Sequence, residues 1–321
     1  MPDWFKNFSW ERIFDNLAEK SPSPIKVAVT AGKSFLYYHG LTRAAALTYT
    51  TFLAVVPLLI MLTSITIAVG LGGFMSDYIP HIFDVLQLDW PTEPLIEIIR
   101  NAESVPIGKL GFIGAVGLFV TFILSFGSLE SNFNVVWENK ISRTLIRQIE
   151  IYTPFFLIVT GFIGLYAGFV KHLQNVLSMI VVDGLHFGPD VTITLINAFW
   201  NVTFQGAAML FIFLMLYALP FRPKGPKPYT KKKLMLSSLG VTILAWFCIT
   251  IYVKILIFIQ TALVTRMSIF YGSLAFIPLV LFLVFGVWTI ILCGNSLVWT
   301  ICYWPEAGRR IWNWKGGSSN L

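Results

Sequence analysis

Charge is scarce in this sequence, since only 12% of its 321 residues are Asp, Glu, Lys or Arg. Soluble domains carry about 25% charged and about 45–50% apolar residues, whereas 56% of this chain is hydrophobic. The apolar residues also come in long uninterrupted blocks, which a water-soluble core of this size cannot hide. The composition therefore excludes an ordinary soluble domain and predicts one domain embedded in a membrane.

Cysteines and catalytic motifs are equally sparse. Cys248, Cys293 and Cys302 lie in apolar runs without a CxxC pair or a Cys/His cluster, which argues against a disulfide framework or a structural zinc site. The motifs HExxH, GxSxG, GxxxxGK[ST] and GxGxxG are missing, and each of them carries a defined chemistry. We therefore predict no catalytic residues, no cofactor and no metal, and an enzyme is the weakest of the function classes considered.

The apolar blocks have the length of transmembrane helices. About 20 apolar residues cover the roughly 30 Å of hydrocarbon in a bilayer. Six blocks meet this requirement, and they predict an all-α fold, a six-transmembrane-helix bundle. The predicted spans are Ala44–Val69, Gly111–Leu129, Ile151–Val170, Val191–Phe221, Leu234–Val253 with a continuation to about Thr265, and a last helix between the break at Tyr271-Gly272 and Pro305.

The distribution of Lys and Arg predicts the orientation of the bundle. With the N-terminus inside, 18 of the 23 Lys and Arg residues fall in cytoplasmic segments and four at the outer side. Positive charge is enriched in cytoplasmic loops, so both termini are expected in the cytoplasm. The net charge of +7 is then explained by contact with anionic membrane lipid, and no nucleic-acid partner is predicted.

The remaining segments complete the predicted organisation. Residues 1–40 are expected to form cytoplasmic amphipathic and approach helices, the first either on the membrane surface or packed beneath the bundle. Residues 41–305 form the membrane domain, in which an outer loop of about residues 71–106 carries a small helical cap. Residues 306–321 form a cytoplasmic tail. The oligomeric state is not predicted by any of these patterns.

Amides in the fourth span form the first candidate site. Asn197, Asn201 and Gln205 recur at every fourth position, so they lie above one another on one helix face. A lipid-facing row of amides would cost several kcal/mol, so the row must face other helices or a wet cavity. Two interpretations remain open, namely hydrogen bonds between helices and a polar path for a substrate.

Residues of the first span extend this candidate site. In the first span Thr48, Tyr49 and Thr51 precede Pro57, and proline frees a backbone carbonyl in mid-helix. These residues predict either a kinked packing seam or a cavity wall, and neither interpretation is favoured.

A second candidate site is predicted at the cytoplasmic mouth. Arg43 lies at the inner edge of the first span, Glu130 at the inner end of the second, and Asn134 one turn later. Arg43 and Glu130 are placed to pair across the bundle. The alternative, which we favour, leaves each as an interfacial charge with its head in water.

An ordered series of motifs resembles the YihY family, also called BrkB-like, of bacterial inner-membrane proteins. The similarity covers roughly residues 25–305. Thr48, Thr50 and Ala54 depart from the AAALAYY…LLSLxPL pattern of that family, and Asn295 stands where many relatives carry a glutamate. The matching segments are RAAALTY at 43–49, FLAVVPL at 52–58, FNVVW at 133–137, YALP at 217–220, YGSLA at 271–275 and CGN at 293–295.

The resemblance implies a six-helix bundle in the bacterial cytoplasmic membrane and no established activity. The family has also carried a ribonuclease label, but nothing in this sequence resembles a nuclease site. Links to virulence and to the handling of lipopolysaccharide lipids imply, by analogy, transport or flipping of a lipid-like substrate. We therefore expect a transporter or flippase-like protein for a lipid or small amphiphile, with a non-catalytic structural or assembly factor as the alternative and a membrane enzyme third.

Overall fold

The described part of the computed structural model is helical and contains no strand. It comprises residues 23–68, 96–97, 100–101, 107–138, 143–144, 146–150, 152–153, 202, 205–220, 229–271, 276–304, 306–307 and 311. The principal helices are α1 (Ser23–Tyr37), α2 (Gly40–Ala68), α3 (Ile107–Val136), α4 (Gln205–Tyr217), α5 (Lys231–Tyr271) and α6 (Phe276–Tyr303). The all-α prediction is confirmed for these residues, while the number of spans stays a prediction.

A tight corner joins α1 to α2. Helix α1 begins at Ser23-Pro24, and a proline in the first turn loses no hydrogen bond because that N–H has no helical partner. After α1 ends, His39 adopts a positive φ of 54°. A Cβ on Gly40 would lie 2.1 Å from the ring of Phe35, so this corner requires glycine unless that ring moves.

Helix α6 lies at the centre of the described bundle. It packs against α1, α2, α3 and α5. Its inward-facing side chains include Val298 and Trp299, which are fully buried together with Leu47 of α2 and Phe133 of α3. The core is therefore built on the C-terminal half of α6, where elements from both ends of the chain meet.

Helices α5 and α6 form an antiparallel pair. Ser237 lies against Cys302, and the Tyr252 hydroxyl donates to the Phe282 carbonyl at 2.6 Å. Residues later in α5 thus lie beside residues earlier in α6, so the two helices run in opposite directions. Helix α5 ends at Tyr271 and α6 begins at Phe276, which agrees with the predicted helix break.

The outer face of α5 is apolar. Ile243, Leu244, Phe247, Ile251 and Phe258 are all exposed large hydrophobic residues on this helix. Within the described residues, 231–259 and 278–303 are the stretches long and apolar enough to cross a membrane. A continuous exposed apolar face is unusual in a soluble monomer and marks a surface for lipid or another protein.

Two helix boundaries differ from the predicted spans. Helix α3 continues to Val136 rather than ending near Leu129, and α5 has 41 residues, which is roughly 60 Å at 1.5 Å per residue. Hydropathy detects the part of a helix that lies in lipid, whereas the helix itself extends beyond it. The predicted N-terminal amphipathic helix, third span and basic connector lie wholly or mostly outside the described residues.

Gly286 is expected to be essential for the close approach of α5 and α6. A Cβ at this position would lie 2.1 Å from the Tyr252 ring, so Gly286→Ala must displace the ring and break its bond to the Phe282 carbonyl. Overpacking of this kind costs about 1–3 kcal/mol. Thermal unfolding of the purified protein in mild detergent should show a lower midpoint.

Gly240 supplies the matched control on the same pair of helices. Nothing lies within 4 Å of a Cβ at Gly240, and alanine is favoured over glycine within a helix by up to about 1 kcal/mol. Gly240→Ala should therefore leave the midpoint unchanged or raise it. Equal losses in the two variants would contradict the packing described for Tyr252.

Candidate functional site

A buried ion pair lies near the C-terminal end of α3. Glu130 is 0% exposed, and its Oε2 lies 3.1 Å from Nη1 of Arg143. The hydroxyl of Tyr152 donates to the same oxygen. The other oxygen, Oε1, accepts the Asn134 side-chain amide and the backbone N–H of Arg143, each at 3.4 Å. Both carboxylate oxygens are thus satisfied, as a charge buried away from water requires.

Arg143 connects three parts of the chain. Besides Glu130 on α3, its Nη1 lies 3.5 Å from the Tyr152 hydroxyl and 3.4 Å from the carbonyl oxygen of Leu219, just beyond α4. The carbonyls at the end of a helix carry partial negative charge and favour a cation. Gln148 donates to the Arg143 carbonyl at 3.2 Å. One guanidinium therefore holds α3, the 143–153 segment and the end of α4 together.

An uncharged network fastens the end of α3 to α6. The indole N–H of Trp137 donates to Oδ1 of Asn295 at 2.9 Å, and Nδ2 of Asn295 donates to the Phe133 carbonyl at 3.1 Å. Asn295 is 0% exposed. Because a buried amide needs both its donor and its acceptor satisfied, this residue fixes the position of α6 against α3.

Arg43 does not pair with Glu130, contrary to the first of the two predicted arrangements. Its Nε donates to the Tyr38 carbonyl at 2.9 Å and its Nη1 to Oδ1 of Asn132 at 3.3 Å. The reason is geometric: at about 100° per residue, Asn132 faces α2 while Glu130 faces the 143–153 segment. The alternative of an interfacial Glu130 with its head in water is also wrong, because Glu130 is 0% exposed and contacts Arg143 and Tyr152.

The polar residues of the first span do not share one face. Thr48 is 6% exposed and its hydroxyl donates to the Ala44 carbonyl, whereas Tyr49 is 64% exposed. Thr51 accepts the indole N–H of Trp288 at 3.0 Å. Thr48 is therefore bonded within α2, and Thr51 joins α2 to α6. Tyr49 points away from the described bundle. Helix α2 continues through Pro57 to Ala68.

The predicted amide row is only partly described. Gln205 is the first residue of α4 and is exposed. Asn197 and Asn201 lie outside the described residues. A path along these three amides stays a prediction.

The sequence interpretation overlooked Arg143, Tyr152 and the role of Asn295. Arg143 was counted only as a loop cation, and Tyr152 only as the first turn of a span. Asn295 was noted only as a replacement for a carboxylate. The available signal was the position of Glu130 at the end of an apolar run, since an ionisable group at that depth needs a partner. A loop of several cations does not reveal which one is that partner.

Asn295→Leu should destabilise the protein strongly. Leucine would leave the Trp137 N–H and the Phe133 carbonyl without their partner, and each unsatisfied buried group costs about 1–3 kcal/mol. Thermal unfolding in detergent measures the loss. Cys293→Leu, at an exposed position two residues away, is the control and should change the midpoint little. Equal midpoints for the two variants would contradict the network.

Exposed apolar helix faces and two apolar stretches long enough to cross a bilayer are the features expected of a helical membrane protein. The chain belongs to the family described as virulence factor BrkB, whose model matches residues 32–316. No solved structure matches significantly.

Several curated relatives carry only the name UPF0761 membrane protein. The one from Rhodospirillum centenum is 27% identical, over 91% of this chain and 61% of its own length. The one from a Psychrobacter species is 26% identical, over 84% of this chain and 47% of its own. The Haemophilus influenzae relative is 22% identical, over 84% of this chain and 91% of its own length. The chain thus spans about half to three fifths of the first two relatives. It is a bacterial membrane protein.

Proposed function

We propose that the protein moves a lipid or small amphiphile across the bacterial cytoplasmic membrane, and that the Glu130–Arg143 pair lies on its route. The observation that carries this proposal is the burial of Glu130, which is 0% exposed beside Arg143 at 3.1 Å. Among the side chains that the structure describes, Glu130 is the one buried carboxylate. Ionisable residues retained inside a membrane protein mark substrate or ion pathways by default.

Energetics support a functional role for the pair over a purely structural one. Well-packed apolar residues of similar volume often replace a buried ion pair with no loss of stability, or with a gain of about 1–4 kcal/mol. The bundle also has an uncharged means of fastening α3, through Asn295 and Trp137. That network joins α3 to α6, and the ion pair adds a charged contact to the 143–153 segment, where an apolar contact would serve stability equally well. In the predicted orientation the pair lies at the cytoplasmic mouth, where an amphiphile from the inner leaflet would enter.

Reconstitution tests the proposal directly. Purified protein is placed in vesicles that contain a trace of fluorescent phosphatidylglycerol, and a membrane-impermeant quencher reports how fast labelled lipid reaches the outer leaflet. We expect exchange well above that of protein-free vesicles. Exchange at the protein-free rate, with insertion verified by protease protection, would contradict lipid movement.

A structural or assembly factor is the second candidate, and particular contacts favour it. Thr48 and Thr242 donate to carbonyls of their own helices, and Thr51 bonds to Trp288 of α6. The first two hydroxyls are satisfied within their own helices and the third joins α2 to α6, so these contacts need no substrate route. Under this alternative the reconstituted protein shows no exchange, while its loss from cells alters the assembly of a partner.

A further inference from the structure

We propose that Arg143 binds the phosphate group of an anionic amphiphile, and that Glu130 takes up one proton as Arg143 leaves it. This inference rests on the proposed function and names the substrate class and the coupled ion. In the structure Arg143 and Glu130 neutralise each other at 3.1 Å. An incoming anion would replace Glu130 as the partner of the guanidinium, and a proton from water would replace Arg143 as the partner of the carboxylate.

Exposure determines which member of the pair an anion can reach. The side chain of Arg143 is 13% exposed, whereas that of Glu130 is 0% exposed. A guanidinium presents several N–H groups in a planar fork that matches a phosphate or a carboxylate. Membrane amphiphiles carry their negative charge mainly as phosphate, so the exposed edge of Arg143 is suited to a phosphate headgroup.

The burial of Glu130 is the reason why anion binding at Arg143 is coupled to proton uptake. Removing the cation from a buried pair leaves an uncompensated charge, and a buried group in that position neutralises itself by changing its protonation state. One proton passes from water to a Glu130 oxygen, and no covalent bond to the substrate forms. The site is neutral before the exchange and neutral after it, with protonated Glu130 beside an Arg143–phosphate pair.

Glu130 is the proton acceptor of the site, because no other buried carboxylate lies among its described neighbours. Tyr152 donates its hydroxyl to Glu130, and Asn134 contributes a neutral amide. From α2, Arg43 reaches Asn132 rather than the carboxylate. From α6, the contact with α3 is the Asn295 amide. On the neighbouring segment, Arg147 and Glu150 are exposed.

Leu219 gives Arg143 a second anchor during the exchange. Its carbonyl oxygen lies 3.4 Å from Nη1, and this backbone group does not titrate. The guanidinium therefore stays beside α4 when it releases Glu130.

Calorimetry on the purified wild-type protein in detergent tests the coupling independently of transport. The probes are dihexanoylphosphatidylglycerol and inorganic phosphate, each titrated at several pH values and in buffers of different ionisation enthalpy. For dihexanoylphosphatidylglycerol, whose phosphodiester keeps one negative charge throughout this pH range, we expect uptake of about one proton per bound molecule and an affinity that rises about tenfold for each pH unit of acidification, as a single coupled proton requires. Inorganic phosphate tests binding only, because its own protonation changes near neutral pH. Binding of phosphatidylglycerol alone identifies a lipid headgroup, whereas binding of both probes identifies phosphate in general.

Variants assign the effect to residues. Glu130→Gln mimics the protonated state and should bind the probe with an affinity that no longer depends on pH. Arg143→Gln should lose binding at least tenfold. Glu150→Gln removes an exposed carboxylate and should keep the wild-type pH dependence. If Glu130→Gln does not fold, the proton count of the wild type still decides.

Each outcome separates this inference from the proposed function. Binding with one proton taken up, but without lipid exchange in vesicles, would support the coupling and contradict transport. Lipid exchange accompanied by binding without proton uptake would overturn the coupling and leave transport intact. Failure of both probes to bind, or unchanged binding by Arg143→Gln, would also overturn it.

Discussion

Glu130→Leu is expected to destabilise the protein by about 3–5 kcal/mol, because it leaves the cation of a buried pair without its partner. Arg143→Met should cost a similar amount, since Glu130 is 0% exposed and would be left as an uncompensated charge. The double variant Glu130→Leu/Arg143→Met should lose clearly less than the sum of the two single losses. Thermal unfolding in mild detergent, followed by two independent probes, provides the midpoints.

The double variant distinguishes a coupled pair from two separate contacts. Residues in direct contact show interaction energies of about 0.5–3 kcal/mol in such a cycle. Glu150→Gln, which removes an exposed carboxylate from the neighbouring segment, should change the midpoint little. If the two single losses simply add in the double variant, Glu130 and Arg143 do not form the pair described.

Phe247→Arg is expected to abolish correct insertion of α5. Phe247 is 62% exposed and lies near the middle of the apolar stretch 231–259. An arginine at the centre of a spanning helix costs about 2.5–3.5 kcal/mol. On a soluble protein the same change would replace an exposed aromatic ring by a well-hydrated charge and would be tolerated. The amount of folded protein in isolated membranes is the measurement.

Met235→Arg is the matched control for this prediction. Met235 is also exposed and lies on the same helix, beside Lys231, Lys232 and Lys233. A long cationic side chain near the end of a span can extend its charge to the water. Met235→Arg should therefore accumulate like the wild type. Normal membrane levels of Phe247→Arg would contradict a lipid-facing surface on α5.

The sequence predicted the helical class because that signal is carried by many residues at once. Uncharged runs such as Ala44–Val69 need no particular neighbour to be recognised, and α2 follows that run closely. The break after Tyr271 was equally visible, because the apolar run there is too short for two spans. Helix ends were less predictable: α3 extends to Val136 because contacts with Asn295, and not hydropathy, hold its last turns.

The candidate site depended on contacts that no local pattern contains. Glu130 and Arg143 are 13 positions apart, and which cation meets the carboxylate is decided by the turn after α3. One of the two arrangements predicted from the sequence pairs Glu130 with Arg43, although a difference of two positions on α3 directs Asn132 toward Arg43 and Glu130 away from it. Thr48 and Tyr49 show the same effect, because adjacent residues on a helix face different surroundings.

Lipid exchange by the double variant Glu130→Leu/Arg143→Met tests the central claim most directly. The claim is that this pair serves the movement of an amphiphile and not only the stability of the bundle. In vesicles that contain equal amounts of inserted protein, the wild type should exchange labelled phosphatidylglycerol and the double variant should match protein-free vesicles. Undiminished exchange by a folded double variant would contradict the claim.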